Sequence, residues 1–269
     1  MTYALRSIPA VACALVLSMQ LGCATQPVTP GPPANAAAAS ADENWQDARQ
    51  LVLVVTPHAD ATTGRMRAFE RKSDGAWRPV GDAFPITVGR TGIAWGRGLH
   101  PPQPGLAKRE GDGRAPAGVF RIGEAFGYAP RAVTGLDYAP MGETHWCIDV
   151  DGSPLYNRIV DSREVGASAI EGSSEPMRRD LHAGGDQRYR LGFVIEHNAD
   201  STAGGGSCIF AHLWKAPGEP TAGCTAMDPG AMDRLLGWLR TDHAPVFVQL
   251  TQADAARLAA DWRLPSIDG

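Results

Sequence analysis

From Leu51 onward the chain is a succession of short apolar runs cut by glycine and proline, a punctuation that leaves no room for long helices and forces the fold into strands and turns. Leu51-Val52-Leu53-Val54-Val55 is a continuous Val-rich run, Met66 to Arg71 alternates, and Ser73-Asp74-Gly75 supplies a turn before Trp77. Further strands are expected at Ile86-Thr87-Val88, Gly118 to Ile122, Trp146 to Val150, Phe193 to His197, Cys208 to Leu213 and Val246 to Leu250. The 31 glycines and 21 prolines among 269 residues exceed the usual share of roughly 12 %, which excludes a helical bundle. With 43 % hydrophobic and 20 % charged residues there is still enough apolar material for a core. The reading is a mainly β fold, largely antiparallel, with two helices near the end. Asp228 caps the first, with Pro229 in its first turn and Met232, Leu235, Leu236 and Leu239 on one face; the second runs from about Ala253 to Trp262.

The beginning of the chain has a different logic. Arg6 precedes an apolar stretch, Ile8 to Leu17, too short to span a bilayer, and Leu21-Gly22-Cys23 follows. This predicts an export signal over residues 1–22 with Cys23 as a lipid-acceptor cysteine; ordinary signal cleavage further along is the alternative. Residues 23–44, rich in proline and alanine and nearly free of charge, read as a flexible tether, and 45–269 as the folded domain. Either route of processing places the mature protein outside the cytoplasm, in a periplasm that permits disulfides, anchored to the outer membrane where Cys23 is acylated. The 25 basic and 29 acidic residues give a net charge of −4, which excludes a nucleic-acid groove.

Cysteine and histidine carry the reactive chemistry. Cys13 lies in the signal segment and Cys23 is the lipid site, which leaves Cys147, Cys208 and Cys224 in the folded domain. Cys147 and Cys208 sit in strand-like runs, and a disulfide between them leaves Cys224 free; two separate buried thiols are the alternative. Cys224 lies in a turn just ahead of a helix. A free thiol needs a base, and His212, at the end of a strand and separated from Cys224 by the loop Leu213 to Gly223, is placed to return to it. Gly223 permits a tight turn that aims the amides of Cys224 and its neighbour at an oxyanion. A zinc site from His197, His212, Cys208 and Cys224 is a weaker reading, because the short ligand spacings of such sites are missing. Lys108 and Arg109, beside Glu110, read as an anion anchor or a solvated charge cluster. His197 closes a strand, and His100, His145 and His182 belong to no motif.

Read together, four blocks resemble the L,D-transpeptidase (YkuD) family of bacterial cell-wall enzymes, and within it a divergent branch with a Gly-Cys-Thr-Ala motif. They are Gly111-Asp112-Gly113-Arg114-Ala115-Pro116-Ala117-Gly118-Val119-Phe120, then Asp149 with Tyr156-Asn157-Arg158-Ile159-Val160-Asp161, then Gly206-Ser207-Cys208-Ile209-Phe210-Ala211-His212-Leu213-Trp214, and finally Pro220-Thr221-Ala222-Gly223-Cys224-Thr225-Ala226-Met227. The likeness spans roughly Leu51 to Leu250. It implies an L,D-transpeptidase-like β-sandwich and a cysteine nucleophile that attacks a peptidoglycan tetrapeptide stem at the carbonyl of its meso-diaminopimelate. D-Ala leaves, a thioester remains, and an amine of a second stem takes the acyl group; water as acceptor would make the enzyme a hydrolase.

Carried over by position, Cys224 is the nucleophile, His212 the base oriented by a backbone carbonyl, and Gly223 with Cys224 the oxyanion donors. The commoner motif has Ser or Thr, His, Gly, Cys, any residue, then Arg or Asn. Thr221, Gly223 and Cys224 match it, whereas Ala222 replaces the His and Ala226 the Arg or Asn. Thr221, Trp214, Arg190, Tyr156 and Asn157 are the expected substrate contacts in their place. No cofactor or metal is implied, the partners are stem peptides and the membrane, and the chain is expected to act as a monomer. A wall-binding lipoprotein without catalysis is the reading from a different class.

Overall fold

A computed structural model describes residues 45–268; the export signal over 1–22, Cys23 and the tether over 23–44 lie outside the described residues. In chain order these form β1 (Gln50–Thr56), β2 (Thr63–Arg71), β3 (Trp77–Thr87), β4 (Ile93–Trp95), β5 (Ala115–Gly127), β6 (Tyr138–Pro140), β7 (His145–Cys147), β8 (Ile159–Asp161), α1 (Ser162–Val165), β9 (Glu175–Pro176), α2 (Arg179–His182), β10 (Leu191–Ile195), β11 (Phe210–Leu213), β12 (Thr225–Met227), α3 (Pro229–Trp238), β13 (Val246–Thr251) and α4 (Gln252–Leu258). The fold is mainly β with a few short helices, and none of the described helices is long and apolar enough to cross a membrane.

The main sheet runs β10-β11-β12-β3-β2-β1-β13-β5-β4, and β10 also pairs with β5, so the sheet closes on itself in a barrel-like ring. β1 and β13 are parallel at its centre, in register from Leu51 opposite Val246 to Thr56 opposite Thr251. Both faces of β1 are covered. Val52 and Val54 join Met66, Leu235 and Phe247, whereas Leu51 and Leu53 join Trp45, Val248, Leu258 and Trp262. That double burial is why the run from Leu51 to Val55 is continuous and does not alternate. α3 supplies much of the first core. The Asp228 carboxylate accepts from the amides of Gly230 and Ala231, Pro229 opens the helix, and Ala231, Met232, Leu235 and Leu236 are buried. α4 stops at Leu258, short of the expected Trp262, where a turn takes over and still buries Trp262.

A smaller sheet, β8-β7-β9, belongs to the insertion between β6 and β10. Its Cys147 is disulfide-bonded to Cys208, at a Cα separation of 5.9 Å, which ties the insertion to the chain entering β11.

One glycine of the Gly111–Phe120 block cannot be replaced cheaply. Gly118 has φ +136°, and a Cβ there would stand 1.8 Å from Nε2 of His100, a ring wedged among Trp95, Phe120 and Trp262. Gly118→Ala is expected to destabilise the fold by about 3 kcal/mol or more, from backbone strain plus overpacking. Gly111→Ala, at φ +70° with open space around it, should cost about 1 kcal/mol. Urea unfolding of the two variants checks the contrast, and equal losses would contradict it.

Candidate active site

β11 and β12 are parallel neighbours, with His212 opposite Ala226 and Ala211 opposite Thr225. Cys224 directly precedes β12 and packs with Phe210 under the Tyr189 ring, which also meets His212, so thiol and imidazole lie on the same side of the sheet. The sequence reading placed Cys224 in a turn directly ahead of a helix; the structure inserts β12 between them. Three residues are too few to show a period, and the strand is held from elsewhere: Thr225 Oγ1 donates to Gln249 Oε1 at 2.9 Å, and Gln249 Nε2 donates to Pro116 O at 2.8 Å.

The Cys224 sulfur is set by backbone. Phe210 N donates to Sγ at 3.3 Å, and the thiol donates to the Cys208 carbonyl at 3.4 Å. Cys224 is the free cysteine among the described residues and is 8 % exposed. His212 is 2 % exposed, and its Nδ1 lies 2.7 Å from the Leu213 carbonyl. A carbonyl only accepts, so Nδ1 carries the proton and Nε2 is left as the bare basic nitrogen. Tyr189, from the turn just ahead of β10, covers the pair. Its ring meets His212 edge-on at 5.2 Å and Phe210 at 5.5 Å, and it shares one apolar cluster with Cys224 and Cys208.

Burial sets the charge state. It pushes the Cys224 thiol up to about 12, with the Glu175 carboxyl adding to the shift. It pushes His212 down to about 4, helped by the nearby guanidiniums of Arg188 and Arg179. At neutral pH the resting pair is therefore thiol and neutral imidazole. His197 is also pushed down to about 4 by burial. The unfolded chain, with ordinary histidines near 6.5, takes up protons between pH 6.5 and 4 that the folded chain refuses. Stability is thus full above pH 6.5 and is lost as pH falls toward 4. Between pH 7 and pH 5 the loss should reach about 2 kcal/mol per histidine, read as a falling urea midpoint; an unchanged midpoint would contradict it.

A polar network fixes the segment entering β11. Tyr156 Oη donates to Glu110 Oε2 at 2.5 Å and accepts from Gly206 N, while Ser207 Oγ donates to the same carboxylate at 2.6 Å. Asn157 Nδ2 donates to the carbonyls of His197 and Asn198, both at 2.9 Å, and its Oδ1 accepts from Cys208 N at 2.8 Å. This holds Cys208 at φ +54°, the residue whose carbonyl receives the Cys224 thiol. The polar groups of Tyr156 and Asn157, two of the expected substrate contacts, are thus engaged inside the protein. Thr221 is likewise a clamp: its Oγ1 donates to Cys224 O at 2.6 Å and accepts from Gly223 N at 3.1 Å. That bond occupies the Gly223 amide expected as an oxyanion donor.

The block order and this geometry meet one external observation. The family model for the L,D-transpeptidase catalytic domain, YkuD, matches residues 58–248. The chain belongs to the L,D-transpeptidase (YkuD) family. No curated protein and no solved structure shows a significant match to it. Within this L,D-transpeptidase domain, Trp214 lines a cavity with Arg179 and Arg188, whereas Arg190 lines a separate one with Tyr128 and Tyr138. The zinc reading fails, because Cys208 is in the disulfide and His197 has both ring nitrogens engaged, by Arg97 N and Gly205 O. Among the described residues no His, Cys, Asp and Glu group is placed to hold a metal. Lys108 is neither an anion anchor nor solvated: it is buried, and its Nζ pairs with Asp112 at 2.7 Å.

The sequence reading missed the residues that the insertion brings to this L,D-transpeptidase site: Glu175, Arg179, Asp186, Arg188 and Tyr189. Their only signal is the density of opposite charges between Glu175 and Arg190, around one tyrosine that turns out to be 4 % exposed.

Proposed function

We propose that this protein is an exported, cysteine-dependent enzyme of the cell wall that acylates Cys224 with the tetrapeptide stem of peptidoglycan. The single observation that carries the reading is a buried free thiol on the same sheet face as an imidazole whose Nδ1–H is committed to a backbone carbonyl and whose Nε2 is bare. Because thiol and imidazole are both neutral at rest, the sulfur cannot wait as a thiolate. Its proton leaves the Cys208 carbonyl for His212 Nε2 as the sulfur attacks the meso-diaminopimelate carbonyl, so proton transfer and C–S bond formation are coupled. The Gly223 amide is taken by Thr221, and the Cys224 amide, without a hydrogen-bond partner among the described residues, is the donor in reach of the oxyanion. Collapse expels D-Ala, which receives the proton from His212. An amine from a second stem then takes the acyl group and completes a transpeptidation.

The disulfide between Cys147 and Cys208 supports an oxidising compartment, in keeping with an export signal and with Cys23 as an outer-membrane lipid anchor. Purified protein incubated with defined tetrapeptide muropeptides and followed by mass spectrometry tests the reading. Loss of D-Ala with dimer formation is the expected result. Loss without dimers would replace transfer by hydrolysis, and unchanged substrate would leave a wall-binding lipoprotein.

A further inference from the structure

A cavity of about 450 Å³ is walled by Arg179, Asp186, Arg188, Trp214 and Lys215; His212 and Cys224 do not line it. The Tyr189 ring connects it to the reacting groups: the Arg179 guanidinium lies 5.4 Å from the ring centroid and His212 lies 5.2 Å from it. Asp186 orders both arginines. It accepts from Arg179 Nε at 2.9 Å and from Arg188 Nε at 2.8 Å and Nη2 at 2.5 Å. Arg179 Nη1 donates to Glu175 at 2.8 Å.

These bonds leave Arg179 Nη2 and Arg188 Nη1 without a partner among the described residues, and neither is sealed from solvent. Each cation of the wall has a carboxylate partner: Arg179 and Arg188 in Asp186, Arg179 also in Glu175 at 2.8 Å, and Lys215 in Glu219 at 3.6 Å. What the wall offers a ligand is therefore the two unpartnered guanidinium N–H groups and not an excess of positive charge. Glu175 and Glu219 are not themselves part of the lining.

We propose that this cavity is a carboxylate subsite, in which Arg179 and Arg188 hold a free carboxylate of the peptide whose reacting carbonyl sits at Cys224. The proposal rests on the reading of Cys224 as the nucleophile. Two guanidiniums preordered by one shared aspartate present a fixed donor array, and carboxylate recognition by arginine depends on such geometry as well as on charge. Both arginines come from the insertion, so the subsite occupies a different part of the chain from Ala226, where the commoner motif has Arg or Asn. Occupancy has a second consequence. The positive charges of Arg188 and Arg179 disfavour protonation of His212, and a bound carboxylate offsets them, so substrate binding itself makes the imidazole a better base.

Alkylation of Cys224 tests this without turnover. Iodoacetate and iodoacetamide differ only in a carboxylate against an amide, and each forms the same S–C bond with loss of iodide. Relative to a free cysteine peptide, the wild-type protein should favour iodoacetate at least about tenfold, the scale of one arginine–carboxylate contact. Arg188→Gln should bring the ratio back to that of the free peptide, and Arg188→Lys should restore part of it. Thermal unfolding checks that the variants fold. In the wild type, N-acetyl-D-alanine should protect Cys224 while its amide does not, which needs no variant.

A ratio equal to that of the free peptide, no alkylation by iodoacetate, or equal protection by acid and amide would overturn the proposal. If muropeptides are unchanged while the iodoacetate preference stands, the proposed reaction falls and the subsite survives. If muropeptides are processed without any such preference, the subsite falls alone.

Discussion

Cys224→Ala is expected to fold as the wild type does and to lose every thiol-dependent step. The side chain is small and buried in a cluster with Tyr189, Phe210 and Cys208, so removing its sulfur should cost about 1 kcal/mol of stability. The chemical step loses its nucleophile, and turnover of tetrapeptide stems should fall by at least about 10⁴-fold. His212→Gln should also fold and should lose about 10²–10⁴-fold, since it removes the base and leaves the thiol. Activity of Cys224→Ala within tenfold of the wild type, with intact folding in urea titrations, would place the nucleophile elsewhere.

Replacing the Cys147–Cys208 pair is the second large effect, and its character is different. The two residues are 61 positions apart, and opening a loop of that size releases unfolded-state entropy worth about 4 kcal/mol. Cys147→Ser with Cys208→Ser should therefore lower the urea-derived stability by up to about 4 kcal/mol. Activity should fall too, though by less than in Cys224→Ala. The Cys208 carbonyl receives the Cys224 thiol, and Cys208 is held at positive φ by the disulfide on one side and by Asn157 on the other. Asn157→Ala should reproduce the loss of activity with a smaller loss of stability. If the disulfide variant kept full stability, the insertion would be anchored by its polar contacts alone.

What the sequence makes legible here follows from length and periodicity. The run from Leu51 to Val55 announces a strand covered on both faces, and Asp228-Pro229 announces the start of α3, because each signal is local. Cysteine arithmetic narrows the folded domain to a pair and a free thiol. The strand formed by Thr225–Met227 is invisible, since three residues carry no period and its support comes from Gln249 and Pro116, far away in the chain. Tyr156 and Asn157 read as substrate contacts, and their internal partners become visible only when Glu110, His197 and Cys208 are folded onto them. Arg179, Arg188 and Tyr189 come from an insertion tied down by the Cys147–Cys208 disulfide and by the contacts of Tyr156 and Asn157, and nothing in their own neighbourhood states that.

The measurement that bears most directly on the central claim is intact-mass and peptide mass spectrometry of the protein quenched during incubation with a defined tetrapeptide muropeptide. The account predicts a mass gain equal to the muropeptide minus D-Ala, on the peptide containing Cys224, labile to hydroxylamine as a thioester is, absent in Cys224→Ala and slow to form in His212→Gln. An adduct that persists in Cys224→Ala, or consumption of the muropeptide with no acylated Cys224 at any time, would contradict it.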